Sequence, residues 1–419
     1  MSLSLRIRLS LLMFLEFFIW GAWYTTIAVF MSNHGMNNIT QWPFTVNPIA
    51  AIIAPFFVGL IADRYFATER VLGILHLLGA LFMFLTPMAV GHPLLFILLL
   101  LAYNICYMPT MSLANSLTFH HITDQEKNFP TIRVFGTIGW IVAGLLISFV
   151  GVYFVKANLR PEQTAMPLYL TAIASLLLGL YSFSLPHTPP PAAGKVVSIR
   201  SIAGVDALKQ LGSKSFYIFL LCSFLICIPL AAYYNFTQLF LEGTGFKNIA
   251  ATQTIGQMSE WIFMLLMPLF FVRLGVKWML AMGMLAWTVR YALFAMAAPH
   301  EIVWMIILGI ALHGVCYDFF FVTGQIYVDK KSTPEIRGQA QGLIILVTYG
   351  VGMLIGAQIA GAVYNSFLGE AAKLTLTQWN QFWWIPSLFA LVVLIFFVFA
   401  FQDKKVEAQV TAEAASAAK

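Results

Sequence analysis

The sequence predicts an all-α polytopic membrane protein, with twelve transmembrane helices in two six-helix halves. Three observations lead there. Of the 419 residues 60% are hydrophobic and 10% charged, and the mean hydropathy is +0.84; a water-exposed surface needs far more charge than that. Apolar runs of about 20 residues, enough to cross a bilayer, recur along the whole chain. The runs fall six and six around one polar, proline-rich interruption.

In order, the runs occupy 9–31, 43–62, 71–91, 93–118, 132–154 and 166–186, then 216–241, 250–272, 278–298, 302–327, 338–366 and 381–402. The opening "MSLSLRIRLSLLMFLEFFIWGAWYTT" imitates a secretory leader, but its run is too long, contains Glu16 and lacks a small-residue cleavage site. It reads as a retained first span. The interruption, 187–215, opens with "PHTPPPAAGK" and reads as a linker. The expected organisation is therefore a first half at 1–186, a linker at 187–215, a second half at 216–402 and a tail at 403–419. Of 23 Lys and Arg, seventeen fall in tails and loops on the side of the N-terminus and four (Lys156, Arg160, Lys247, Lys373) on the other. The positive-inside rule then puts both termini in the cytoplasm. "PTIR" at 130–133 and "PEIR" at 334–337 open the fifth and eleventh spans. Such an offset points to parallel repeats, which bind substrate near the midplane at the repeat interface.

A net charge of +6, spread thinly, gives no basic patch for nucleic acid. Cys106, Cys222, Cys227 and Cys316 lie in apolar segments without CxxC spacing, as packing residues do. No Walker A loop, HExxH, GxSxG or metal-ligand spacing occurs, so neither enzyme activity nor a cofactor or metal is expected.

Function is sought in the polar residues that lipid does not tolerate. An ionisable side chain at mid-span costs about 2.5–3.5 kcal/mol or more. In the eighth span Gln253, Gln257 and Glu260 fall at i, i+4 and i+7 on one face; the alternatives are a cavity-lining stripe or a bond to a neighbouring helix. In the tenth span, "LHGVCYDFFFVTGQIYVDKK", His313 and Tyr317 are one turn apart and Asp318 follows. Asp318 is either a proton carrier or the counter-charge of Arg290 in "WTVRYALF". Arg133, Thr137 and Trp140 of "FPTIRVFGTIGW" set a cation, a hydroxyl and an indole on one face of the fifth span; a binding face and a span mouth are both open. Arg337, its repeat counterpart, reads as a loop residue. Glu16, Trp20 and Trp23 share a face of the first span, either stacking a ring or packing helices. Glu16 lies near the inner end, within reach of the interface, and His76 reads as satisfied packing.

"GLIADRYFATER" (59–70) resembles the loop 2–3 signature of the major facilitator superfamily, and that resemblance implies a gating role for Asp63 and Arg64. "WGAWYTT" (20–26), "YMPT" (107–110), "FPTIRVFGTIGW", "SEWIFMLLMPLFF" (259–271), "YDFFFVTG" (317–324) and "IRGQAQG" (336–342), in order along nearly the whole chain, are similar to the bacterial nucleoside–proton symporters of that superfamily. The resemblance implies a major facilitator fold in the inner membrane; separately, a single chain is expected to be the working unit. The resemblance also implies substrate contacts at Arg133, Thr137, Trp140, Gln257, Glu260, His313 and Tyr317. Two amide positions of the family's seventh span correspond here to Ala231 and Tyr234, in "PLAAYYNFTQ" (229–238), which puts the substrate in question; Asn235 or Gln238 takes over if the register shifts.

The resulting expectation is alternating-access import of a nucleoside or close analogue driven by protons. Glu260 serves both substrate and proton, because burial beside apolar walls makes the neutral form of a carboxyl accessible. A facilitator for a sugar or sugar derivative is the alternative.

Overall fold

The computed structural model describes residues 2–57, 65–156, 158–190, 204–333 and 335–403, and among these the regular elements are all helical. The Cα packing divides the chain into two units, Met1–Ser198 with Phe246–Thr254, and Ile199–Gly245 with Ile255–Lys419.

The first unit begins with α1 (Leu3–Tyr24), whose N-terminus is capped by the Ser2 hydroxyl accepting from the Leu5 amide at 3.3 Å. The expected first span does not run on as one helix. Thr25 and Thr26 turn their hydroxyls back to the Gly21 and Trp23 carbonyls (3.0 and 3.1 Å), which bends the chain before α2 (Ile27–Ser32). α3 (Trp42–Phe57), α4 (Thr68–Leu85), α5 (Pro93–His121), α6 (Gln125–Leu145) and α7 (Met166–Ser182) follow. α6 lies against α1 so closely that a Cβ on Gly139 would sit 2.1 Å from the Phe14 carbonyl oxygen. The Glu69 carboxylate accepts from the Thr188 amide at 2.9 Å and contacts His187 Nδ1 at 2.9 Å. The first residues of the expected linker are thereby tied to the start of α4.

The second unit holds α8 (Val205–Leu211), α9 (Lys214–Gly243) and most of α10 (Ile249–Ala297). It continues with α11 (Val303–Ala311), α12 (His313–Tyr317), α13 (Thr323–Lys331), α14 (Arg337–Ile345), α15 (Met353–Leu368) and α16 (Leu376–Ala400). α10 carries two expected spans and turns between them at Gly275, whose φ of 64° and ψ of −179° only glycine adopts readily. π-helical turns at Asp318–Val322 and Leu346–Gly352 join α12 to α13 and α14 to α15. Such turns widen a helix locally and are common at functional positions.

Among the described residues eight helices are long and apolar enough to cross a membrane, the one from Ile249 to His300 bearing two of the twelve expected runs. The first, second and sixth runs fall on α1, α3 and α7, of which α7 (Met166–Ser182) is a shorter apolar helix. Leu265, Leu269 and Phe399 are 66%, 63% and 79% exposed. An apolar exterior of this kind is stable in lipid and aggregates in water.

Candidate functional site

The polar residues of the second unit converge where α10 meets α12. The contact is backbone to backbone: a Cβ on Gly314 would lie 2.5 Å from the Ser259 carbonyl oxygen and 2.7 Å from the Glu260 nitrogen. The Ser259 hydroxyl accepts from the Gly314 amide at 2.9 Å and donates to the Gly256 carbonyl at 3.1 Å. Only a residue without a side chain allows this approach. Glu260 lies at this contact on α10, and Asp318 stands one turn beyond Gly314 on the facing segment. Asp318 is fully buried, at the start of a π-helical turn, and neither carboxyl oxygen has a hydrogen-bond partner.

Aromatic rings wall this point. The buried His313 imidazole stacks on Tyr233 (centroids 5.4 Å apart, 18° between planes), meets Tyr234 edge-on at 6.1 Å and leans on Tyr317 at 5.7 Å. Its Nδ1 has no hydrogen-bond partner, and neither has the buried Gln257 Oε1. The Tyr349 hydroxyl, from the π-helical turn before α15, donates to the Tyr317 hydroxyl at 2.5 Å.

Arg290 is not the counter-charge of Asp318. Its Nε donates to the Gly309 carbonyl at 2.8 Å, Nη2 to that of Ile310 at 3.5 Å, and the guanidinium lies 4.0 Å above the Tyr233 ring. The guanidinium engages two carbonyls and a π face, with Nη1 buried and unpartnered, which leaves Asp318 without an arginine. In α9, Ala231 is buried against Gly356. The Gln238 amide bonds back to the Tyr234 carbonyl at 3.4 Å, whereas the buried Asn235 has partners for neither amide atom.

In the first unit Arg133 lies 3.9 Å over the Phe17 ring, and Trp140 meets Trp20 at 5.4 Å and Tyr24 at 6.2 Å. Both α6 residues thus lean on α1, while Thr137, one turn from Arg133, is half-buried. The three-residue stripe of the eighth span divides. Gln253 is spent on the Thr25 carbonyl at 2.9 Å, a structural bond. Arg337, expected in a loop, opens α14 instead and pairs with Asp329 at 2.9 Å on the surface. Asp63 and Arg64 lie outside the described residues.

Glu16 corrects the expectation most. It does not reach an interface: it is fully buried, with His76 Nε2 at 3.0 Å and the Thr110 hydroxyl at 2.6 Å from its carboxyl oxygens. His76 is satisfied, as expected, but by a carboxyl group. Sequence reasoning treated the two residues separately, although two lone ionisable groups, in the first and third spans, can lower each other's cost by pairing. Tyr349 gave no signal, being one tyrosine among apolar residues.

Buried, unpartnered carboxyl oxygens among aromatic rings, inside helices long enough to span a bilayer, are features of the class of membrane transport proteins. The family model "Nucleoside H+ symporter" matches residues 1–406, and the chain belongs to that family. It is 40% identical over 405 residues to the putative nucleoside transporter YegT of Escherichia coli K12, covering 94% of this chain and 93% of that protein. It is 30% identical to the xanthosine permease of the same organism, with 96% of each covered. The crystal structure of the nucleoside transporter NupG superposes with a TM-score of 0.85 at 28% identity, covering 96% of this chain and all of that one.

Proposed function

We propose that this protein imports a nucleoside or close analogue across the bacterial inner membrane, by alternating access and together with inward-moving protons. Membership of the symporter family and the likeness to nucleoside permeases support the transport class. The observation that carries the mechanism is the Glu260–Asp318 corner. A buried carboxylate without partners costs several kcal/mol, on the order of 3–5 when its counter-charge is missing, so Asp318 is completed by an arriving proton. Glu260, beside it, accepts from ribose hydroxyls or base amides. Gln257 supplies an amide, and His313, Tyr317 and Tyr234 supply faces and edges against which a base stacks. Proton and substrate then favour the same arrangement of the two helices, which couples their movement.

Arg133, Thr137 and Trp140 are the substrate-contact candidates of the first unit, and Asp63 and Arg64 the gating pair. Both termini are placed in the cytoplasm and a single chain is the working unit.

Uptake of labelled uridine and adenosine by proteoliposomes, beside a sugar panel, tests this reading. Accumulation of a nucleoside that needs an inward acid gradient and is lost in Glu260→Gln is the expected result. Uptake indifferent to the gradient, or selective for a sugar, would overturn it.

A further inference from the structure

The buried pair in the first unit has no part in the mechanism above, yet its hydrogen bonds count protons. Ser175 has one hydroxyl hydrogen, and it donates to the His76 carbonyl at 3.0 Å. The contact between Ser175 Oγ and His76 Nδ1, at 3.2 Å, is then closed by a proton on Nδ1. The Nε2 to Oε2 contact at 3.0 Å needs a second proton, carried by imidazolium or carboxyl. With Ser175 donating to the carbonyl, and Thr110 giving its one hydrogen to Glu16 Oε1 rather than to the Tyr107 carbonyl at 2.5 Å, the pair holds one proton more than a neutral imidazole beside a carboxylate. When that proton departs from Nδ1, Nε2–H still donates to Glu16, and Ser175 swings its hydrogen from the carbonyl to Nδ1. The pair passes from zero net charge to minus one.

Resting on the proton-coupled reading above, we propose that Glu16 and His76 form a second proton-binding site, loaded and unloaded in each transport cycle, with Ser175 as its hydroxyl relay. Four helices meet there: α1 brings Glu16, α4 His76, α5 Thr110 and Tyr107, and α7 Ser175. The Tyr107 hydroxyl donates to the Glu16 carbonyl at 2.6 Å. Among the described residues the other titratable groups beside the pair are Tyr103 and Cys106 of α5, next to Gly79 in α4, and a cation, Arg133 of α6, is stacked on Phe17, the neighbour of Glu16 in the chain. Glu16 is 0% and His76 1% exposed. Losing the proton there leaves a buried charge uncompensated, so the proton-free pair favours a packing of these helices that admits water. Proton occupancy and helix packing are therefore linked, as a coupling site requires.

The experiment balances an outward nucleoside gradient against a pH gradient in proteoliposomes and reads the ratio of protons to nucleoside at zero net flux. Glu16→Gln and His76→Gln are expected to lower that ratio by one while nucleoside exchange continues. Because one pH unit is worth about 1.36 kcal/mol per proton, accumulation at a one-unit gradient then falls about tenfold. Ser175→Ala leaves both titrating groups in place and carries the test if the other variants do not fold. It is expected to shift the pH of half-maximal uptake. Folded variants with the wild-type ratio and pH profile would overturn the proposal and make the pair a structural tie. Absence of gradient-driven uptake in the unmodified protein would instead overturn the reading beneath it.

Discussion

Replacing Gly314 with alanine tests whether the α10–α12 contact positions the site. The added Cβ would meet the Ser259 carbonyl oxygen at 2.5 Å, its carbon at 2.6 Å and the Glu260 nitrogen at 2.7 Å, where ordinary contact begins at 3.4 Å. All three are backbone atoms, so no side chain can swing away, and the helices must separate by roughly 1 Å. Overpacking of this kind costs about 1–3 kcal/mol. The same displacement stretches the Gly314–Ser259 hydrogen bond and moves Glu260 from Asp318; misplacements of about 1 Å in reacting sites cost on the order of a hundredfold in rate. The expected outcome for Gly314→Ala is a lower thermal midpoint in detergent and nucleoside uptake reduced at least about tenfold. Gly338→Ala is the control, because its Cβ would find no heavy atom within 4 Å, and it is expected to be neutral or slightly stabilising, by about 0.4–1 kcal/mol. A Gly314→Ala protein with wild-type midpoint and uptake would refute the claim that this approach sets the site.

Arg290→Lys is expected to destabilise the second unit by about 1.5–3 kcal/mol, because an ammonium cannot keep both the Gly309 carbonyl and the Tyr233 face; thermal melts read the loss. Tyr349→Phe removes the hydrogen bond to Tyr317 and is expected to cost about 0.5–1.5 kcal/mol, with weaker nucleoside binding by calorimetry as the second readout. In the first unit Glu162 Oε1 accepts from the Ala250 amide at 3.1 Å, at the N-terminus of α10, and from the Ser148 hydroxyl at 2.8 Å. Glu162→Ala is expected to cost about 0.5–2 kcal/mol, as loss of a cap does, whereas Glu162→Gln keeps the acceptor and most of the stability; paired melting curves separate the two.

Much of the site was legible because its signal is local. Gln257 and Glu260 stand out as polar residues one turn apart among Trp, Ile, Phe and Met, and Asp318 as a charge among phenylalanines. The same reasoning placed Gln253 with them, and the structure spends Gln253 on the Thr25 carbonyl. Shared face did not mean shared role, because the end of α1 offers the Thr25 carbonyl to the first turns of α10. The amides sought in α9 met the same limit. Gln238 folds back on its own helix and Asn235 does not, a distinction that side-chain packing makes and spacing does not.

By itself the sequence determined that the chain is helical and lives in lipid, where its apolar runs begin and end, and which few ionisable groups demand an explanation. Those properties are sums over neighbours along the chain, so composition and periodicity carry them. Only the tertiary structure decided the partners. Glu16 meets His76 across 60 residues, Arg290 turns to carbonyls and a tyrosine ring, and the Asp318 carboxyl is left without a partner. Pairing depends on how each helix is rotated about its axis and how near its small residues let another come, and a one-dimensional pattern specifies neither.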